Sequence, residues 1–282
     1  KVIKTARERG FNRLAVQDPV TGSLTYGKLL TGAAVLGAKF QSLFPNEKAL
    51  GVLLPNANGA VATILGVMSA GKVPAMLNFT AGLRNLRAAC ELAGVKRVLT
   101  AHKFIELGKL HDIVDALEAK ATITYLEDVR STIGIGDKLF AAVAGAFPRR
   151  LRAHAKPSDP GVVLFTSGSF GAPRGVVLSQ ANLVSNAMQI AAHIDLDPAW
   201  VFFNPLPVFH CFGLTGGVIL PMLTGMKAFQ YPSPLHIKQI PPLVKDTKAN
   251  VLFATDTFLN QYARSADPDE LSGLTFVVYG AI

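Results

Sequence analysis

Short continuous apolar runs recur along this chain, and the stretches between them carry apolar side chains at helical spacing. Ala49 to Leu54 is such a run, ended by Pro55, and reads as a strand buried on both faces. Val73 to Leu77, Arg97 to Ala101 and Thr122 to Leu126 repeat the pattern. Between them, Val61, Ile64, Leu65 and Met68 share one helical face, Leu83 to Ala93 forms a helix closed by Gly94, and Phe104 to Leu117 forms another. Ahead of these, Leu14 to Thr25 predicts two short strands around the turn Asp18-Pro19-Val20-Thr21-Gly22. Thr25 then caps a helix with Leu29, Leu30, Ala33, Leu36 and Phe40 at helical spacing. Strand and helix alternating this often imply α/β architecture with mostly parallel sheets.

Residues 130 to 160 have weaker periodicity and hold a basic cluster, Arg149-Arg150-Leu151-Arg152 with Lys156. This stretch reads as a connection between two subdomains, residues 1–160 and 161–282. Beyond it, Val162 to Phe165 and Val176 to Leu178 read as buried strands. Ser179 caps a helix with Leu183, Val184, Ala187, Met188 and Ala191 facing inward. Phe202 to Leu206, Gly217 to Leu223, Val251 to Ala254, a helix around Phe258 to Ala263 and Phe276 to Tyr279 complete the series.

Composition changes this picture in three places. Half of the 282 residues are hydrophobic and 17% are charged, enough for a sizeable core and against disorder. The net charge of +9 favours acidic partners: nucleotides, an anionic carrier protein or an anionic membrane surface. No basic stripe interleaved with aromatics marks a nucleic-acid interface. Cys90 and Cys211 stand apart in apolar contexts with no CxxC spacing, so both are expected to be reduced and buried, in a cytosolic setting. From Pro198 to Met226, 29 residues lack Asp, Glu, Lys and Arg. Length alone would allow a membrane span, but Pro198, Pro205, Pro207, Pro221 and four glycines interrupt it, and His210 sits in its middle. A buried helix and loop lining an apolar cavity is the expectation.

Candidate chemistry concentrates between Val162 and Ser179. Thr166, Ser167 and Ser169 supply hydroxyls, and Gly168, Gly171 and Gly175 let backbone N–H groups converge on a ligand. Arg174 adds a fixed positive fork. The combination suits a polyphosphate, the plain alternative being a Gly/Ser-rich turn without a ligand. A Walker A loop needs GxxxxGK before a helix, and a dinucleotide fingerprint needs GxGxxG opening one. Neither string is present, and a strand follows.

The segment Thr166-Ser167-Gly168-Ser169-Phe170-Gly171-Ala172-Pro173-Arg174-Gly175-Val176 resembles the phosphate-binding loop of the adenylate-forming superfamily, [ST]-S-G-[ST]-T-G-x-P-K-G-V. A second stretch, Pro205-Leu206-Pro207-Val208-Phe209-His210-Cys211-Phe212-Gly213, resembles that family's PLxHxxG segment beside the acyl carboxylate. Alone, His210 among apolar residues would read as a core histidine; the phosphate loop reverses that preference. The similarity covers the whole chain and implies the large N-terminal α/β domain of an adenylate-forming enzyme, truncated and without the C-terminal lid domain. Pro74 to Gly82, Tyr231 to His236, and Val251 to Thr255 with Thr257 to Leu259 look most like the acyl-[acyl-carrier-protein] synthetase part of the bacterial bifunctional 2-acylglycerophosphoethanolamine acyltransferase/acyl-ACP synthetases.

That resemblance implies a set of roles. Thr166, Ser167, Gly168, Ser169, Gly171, Arg174 and Gly175 would hold the phosphates of ATP, and Gly280 and Ala281 would lie on the adenine side. His210 would orient the carboxylate, while Phe209, Phe212 and Thr255 would wall an acyl pocket. A fatty acid, ATP with Mg²⁺ and acyl carrier protein are the implied substrates and partners. The implied setting is the cytoplasmic face of the inner membrane for the full-length protein, with an acyltransferase domain upstream; the chain alone reads as a soluble, catalytically incomplete piece. The family's metal ligand, ribose-binding aspartate and adenylation lysine are expected beyond Ile282. Two departures stand out: Phe170 replaces a small polar residue at the loop tip, and Arg174 replaces lysine. An acyl-CoA synthetase, and a non-catalytic nucleotide- or lipid-binding module, remain open alternatives.

Overall fold

The computed structural model describes residues 1–137, 139–140, 155–167 and 173–280, the side chain of Ser167 excepted. The basic cluster Arg149–Arg152, the loop residues Gly168, Ser169, Phe170, Gly171 and Ala172, and Ala281 lie outside the described residues. Chain contacts divide the protein into two interleaved units. One comprises Lys1–Gly27, Pro55–Asn58 and Val184–Ile282; the other comprises Lys28–Leu54 and Gly59–Leu183. Neither unit is continuous in sequence. The strands around Thr166 and Arg174 group with the chain before them, and residues 1–27 group with the chain after.

The second unit is built from α2 (Tyr26–Leu43), β3 (Ala49–Val52), α3 (Asn58–Ser69), β4 (Val73–Met76), α4 (Leu83–Leu92), β5 (Arg97–Thr100), α5 (His102–Gly108), α6 (His111–Glu118), β6 (Thr122–Tyr125), α7 (Leu126–Ser131), β7 (Pro160–Ser167) and β8 (Pro173–Ser179). Its sheet runs β6-β5-β3-β4-β7-β8. Every neighbouring pair is parallel except β7 and β8. Alternate strand residues face opposite sides, and the core shows it on β5. Val98 packs with Leu86, Cys90, Ile105 and Leu117 from α4 to α6, whereas its neighbour Leu99 packs with Phe40 and Phe44 near α2 and with Val67 of α3. Helices thus cover both faces, as continuous apolar strands require. The single helix expected over Phe104–Leu117 is broken into α5 and α6 at Lys109, whose φ of 51° no helix interior accommodates. Val176 to Leu178, expected to be buried, sit on the edge strand β8, with Val176 and Val177 exposed.

The first unit contains α1 (Val2–Arg9), β1 (Leu14–Asp18) and β2 (Gly22–Thr25), and then the later chain. That part comprises α8 (Gln180–His193, of which Val184 onward belongs here), β9 (Val201–Asn204), α9 (Cys211–Leu214), α10 (Leu220–Thr224), β10 (Lys227–Gln230), α11 (Ile240–Asp246), β11 (Val251–Ala254), α12 (Asp256–Ser265) and β12 (Phe276–Tyr279). Its sheet runs β12-β11-β9-β10-β1-β2, parallel except for β1 and β2. On β9, Phe203 packs under α11 and α12 with Ile240, Val244 and Tyr262. Phe202 faces the other side, its ring centroid 4.7 Å from that of Phe253.

The charge-free segment forms β9 and a turn and then, from Cys211, helix. A π-helical stretch, Thr215–Ile219, joins α9 to α10, and Gly213 through Met222 are buried. Among the described residues no helix is long and apolar enough to cross a membrane. Two expectations change. Met188, placed inward by helical spacing, is 44% exposed, because Leu183 and Ala187 alone carry the buried face. Cys211 is exposed rather than buried, since it opens α9 ahead of the buried turns.

Candidate functional site

In a parallel sheet, ligand crevices form outside the carboxyl ends of the strands. Most of the sequence-predicted site residues that are described stand at such ends. The glycine-rich segment begins at the carboxyl end of β7, and β8 returns antiparallel from it. Thr166 lies directly opposite Arg174 in the register, and Phe165 opposite Gly175. Cross-strand partners share one face of a sheet, so Thr166 and Arg174 stand on one face where β7 ends. Both are exposed, and Arg174 forms no ion pair among the described residues.

In the other unit, β9 ends at Asn204 and leads into Pro205 to His210, β11 ends before Thr255, and β12 ends before Gly280. His210 caps α9: its Nδ1 accepts the backbone N–H of Phe212 at 3.3 Å. A backbone N–H only donates, so Nδ1 is unprotonated and the neutral ring carries its proton on Nε2. Burial holds the imidazole below its ordinary titration range. His210 is thus a neutral ring with one nitrogen engaged and an Nε2–H left to donate.

Ile190, Ile194, Phe212, Phe253 and Val278, with Gln189 and His193, line an open cavity of about 320 Å³, within the size range of small-molecule sites. The rings of Phe212 and Phe253 stand 5.1 Å apart, and a Cβ on Gly280 would lie 3.9 Å from Phe212. Of the expected acyl-pocket residues, Phe212 lines this cavity; Phe209 and Thr255 do not. The Thr255 hydroxyl instead accepts from the Phe258 N–H at 3.3 Å and caps α12.

Sequence reasoning missed the residues that shape this site. Asn56, Asn204 and Gln230 are buried and hold backbone where the π-helix and the His210 segment meet. The Asn204 amide donates to Gln230 Oε1 at 2.9 Å and to the Gly213 carbonyl at 3.3 Å, and Gln230 donates to the Gly217 carbonyl at 2.8 Å. Gly217 must be glycine, since a Cβ there would fall 2.0 Å from the Asn204 amide. The available signal was the polar residue that ends each strand, Asn204 in β9 and Gln230 in β10.

The fold is that of the N-terminal α/β domain of an adenylate-forming enzyme. A family model described as AMP-binding enzyme matches residues 3–281, and the chain belongs to that family. Among curated relatives, a sulfoacetate–CoA ligase from Cupriavidus necator is 27% identical over 76% of this chain and 43% of its own length. A medium-chain-fatty-acid–[acyl-carrier-protein] ligase from Teredinibacter turnerae is 38% identical over 31% of this chain and 13% of its own. The chain spans less than half the length of these relatives. Among solved structures, O-succinylbenzoate coenzyme A synthetase from Bacillus subtilis in complex with AMP superimposes with a TM-score of 0.80 at 15% identity, covering 99% of this chain and 67% of that one. VinN superimposes with a TM-score of 0.80 at 21% identity, covering 100% and 68%.

Proposed function

We propose that the complete protein containing this chain is an AMP-forming acid–thiol ligase. It activates a fatty acid with ATP as an acyl-adenylate and passes the acyl group to the thiol of acyl carrier protein. The observation that carries this reading is the apolar cavity walled by Phe212, two residues beyond a histidine with a free Nε2–H donor. An alkyl chain fits the walls, and the Nε2–H can donate to a carboxylate oxygen.

Bringing a carboxylate to a triphosphate costs charge repulsion, which fixed donors offset when they are positioned before the reaction. Thr166 and Arg174 are such donors, and the segment Thr166–Gly175, with Ser167, Gly168, Ser169 and Gly171, holds the phosphates. Gly280 and Ala281 lie on the adenine side. Mg²⁺ neutralises triphosphate charge in such chemistry. Among the described residues no three His, Cys, Asp or Glu side chains gather, and Arg174 is this chain's contribution to offsetting that charge. Delivery of the acyl group to a lysophospholipid at the inner membrane, through an upstream acyltransferase, is the finest form of the reading. It rests on the resemblance of Pro74–Gly82, Tyr231–His236 and Val251–Thr255 with Thr257–Leu259 alone.

Fatty-acid-dependent ATP–pyrophosphate exchange by the complete protein tests the activation step, and its absence together with absent ATP binding would leave a non-catalytic module. The sulfoacetate–CoA ligase relative, matched over most of this chain, favours coenzyme A as the second reading for the acceptor. Acylation of acyl carrier protein against coenzyme A, assayed side by side, decides between them.

A further inference from the structure

We infer that Asn56 is a positioning residue for His210, fixing from a distant part of the sequence the turn that presents the imidazole. The inference rests on the proposed function for its catalytic meaning, but not for its geometry. Asn56 lies just after β3 and is 3% exposed. Its Nδ2 donates to the Leu206 carbonyl at 2.6 Å and to the Asn204 carbonyl at 3.3 Å, and its Oδ1 accepts the Val208 N–H at 2.9 Å. Leu206 and Val208 belong to the turn that ends at His210, and Asn204 is the strand residue that leads into it.

The turn needs an outside holder. Pro205 and Pro207 have no N–H, so residues 205–208 cannot form a regular ladder of their own. The last link is local: the His210 N–H donates to the Pro207 carbonyl at 3.0 Å. Past His210, the Gly213 carbonyl receives the Asn204 amide, and Gly213 has no room for a Cβ, which would fall 2.2 Å from the Pro207 carbonyl oxygen. One side of the turn is therefore clamped by Asn56, and the other is locked by close backbone packing. An apolar side chain of equal size would fill the same space but would leave Val208 N–H and Leu206 C=O buried without these partners.

The test reads His210 directly. In the complete protein with ¹⁵N-labelled histidine, the nitrogen shifts should report an unprotonated Nδ1 and a protonated Nε2 at neutral pH. Asn56→Ala should convert that pattern to mixed tautomers. In parallel, kcat of fatty-acid-dependent pyrophosphate exchange should fall about a hundredfold, as a misplacement of about 1 Å can cause, with the KM for ATP unchanged. If Asn56→Ala does not fold, Asn56→Ser, which keeps one hydrogen-bonding group, is read in the same way with a smaller change. Wild-type protein supplies a further arm: the Val208 amide should be protected from hydrogen exchange. An unaltered His210 tautomer in a folded Asn56 variant, or a freely exchanging Val208 amide, would overturn the inference. If the wild type shows no exchange activity, the proposed function fails while the tautomer and protection measurements still decide the positioning.

Discussion

Each of the two sheets ends in an antiparallel hairpin added to parallel strands, β1–β2 in one unit and β7–β8 in the other, and their polar residues are used in opposite ways. In the first hairpin Asp18 is 2% exposed and fully engaged. Its Oδ1 accepts from the N–H groups of Val20 at 2.8 Å and Thr21 at 2.5 Å, and its Oδ2 accepts from Thr21 Oγ1 at 2.7 Å and Asn58 N–H at 2.8 Å. Asn58 completes the knot by donating to Thr21 Oγ1 and the Gly22 carbonyl, both at 2.8 Å. In the second hairpin, Thr166 and Arg174 face each other across the register, exposed. A turn whose polar groups close on themselves is structural, whereas Thr166 and Arg174, exposed on the strands beside the second turn, are available to a ligand. Topology alone does not separate them; the bonding does.

The sharpest break between them is Asp18→Ala. It strands four donors, including the Asn58 N–H in the interior, and should lower stability to urea by about 3 kcal/mol. If Asp18→Ala unfolded at the wild-type urea midpoint, the first hairpin would not be the closed structural turn described here.

Arg174→Ala should behave in the converse way. With no ion pair among the described residues to lose, its stability should stay within about 0.5 kcal/mol of wild type. ATP-dependent pyrophosphate exchange should fall about a hundredfold, since a charge-assisted contact to phosphate would be gone. A variant destabilised as strongly as Asp18→Ala, or one with unaltered exchange, would erase the distinction between the hairpins.

The same contrast explains what could be read from the sequence. Asp18-Pro19-Val20-Thr21-Gly22 announces its turn because each residue there acts locally. The strands Ala49–Val52 and Val73–Met76 announce themselves because burial on both faces demands unbroken apolar runs. The glycines, hydroxyls and cation between β7 and β8 carry a resemblance to a phosphate-binding loop, which is a proposal about their role. Features set by distant partners were not. Asn56 looks like a loop residue until the turn it holds, 150 residues away, is in place. Phe253 and Ile194 look like ordinary core until the cavity appears. Lys109 sits in a helical pattern that its left-handed backbone interrupts, and helical spacing cannot say which face of α8 the fold leaves open at Met188. Strand order also escaped, and with it the interleaving of the two units.

His210 combines both uses in one side chain, with Nδ1 engaged as a cap and Nε2–H open, and it yields the subtlest test. Burial disfavours its imidazolium form, so the folded protein holds the proton less tightly than an unfolded chain, whose histidine titrates near pH 6.5. Above neutrality both states are uncharged and His210 adds no pH dependence. As pH falls through about 6.5 the unfolded chain takes up the proton first. Stability therefore drops, and it levels off only below the folded-state value. Urea unfolding at pH 7.5 and 5.5 should show this loss in wild type and a smaller one in His210→Asn, whose side chain cannot titrate. An equal loss in both proteins would mean that the imidazole is not held neutral by the fold. The open Nε2–H donor, on which carboxylate binding depends, would then be shared with an imidazolium at mildly acidic pH.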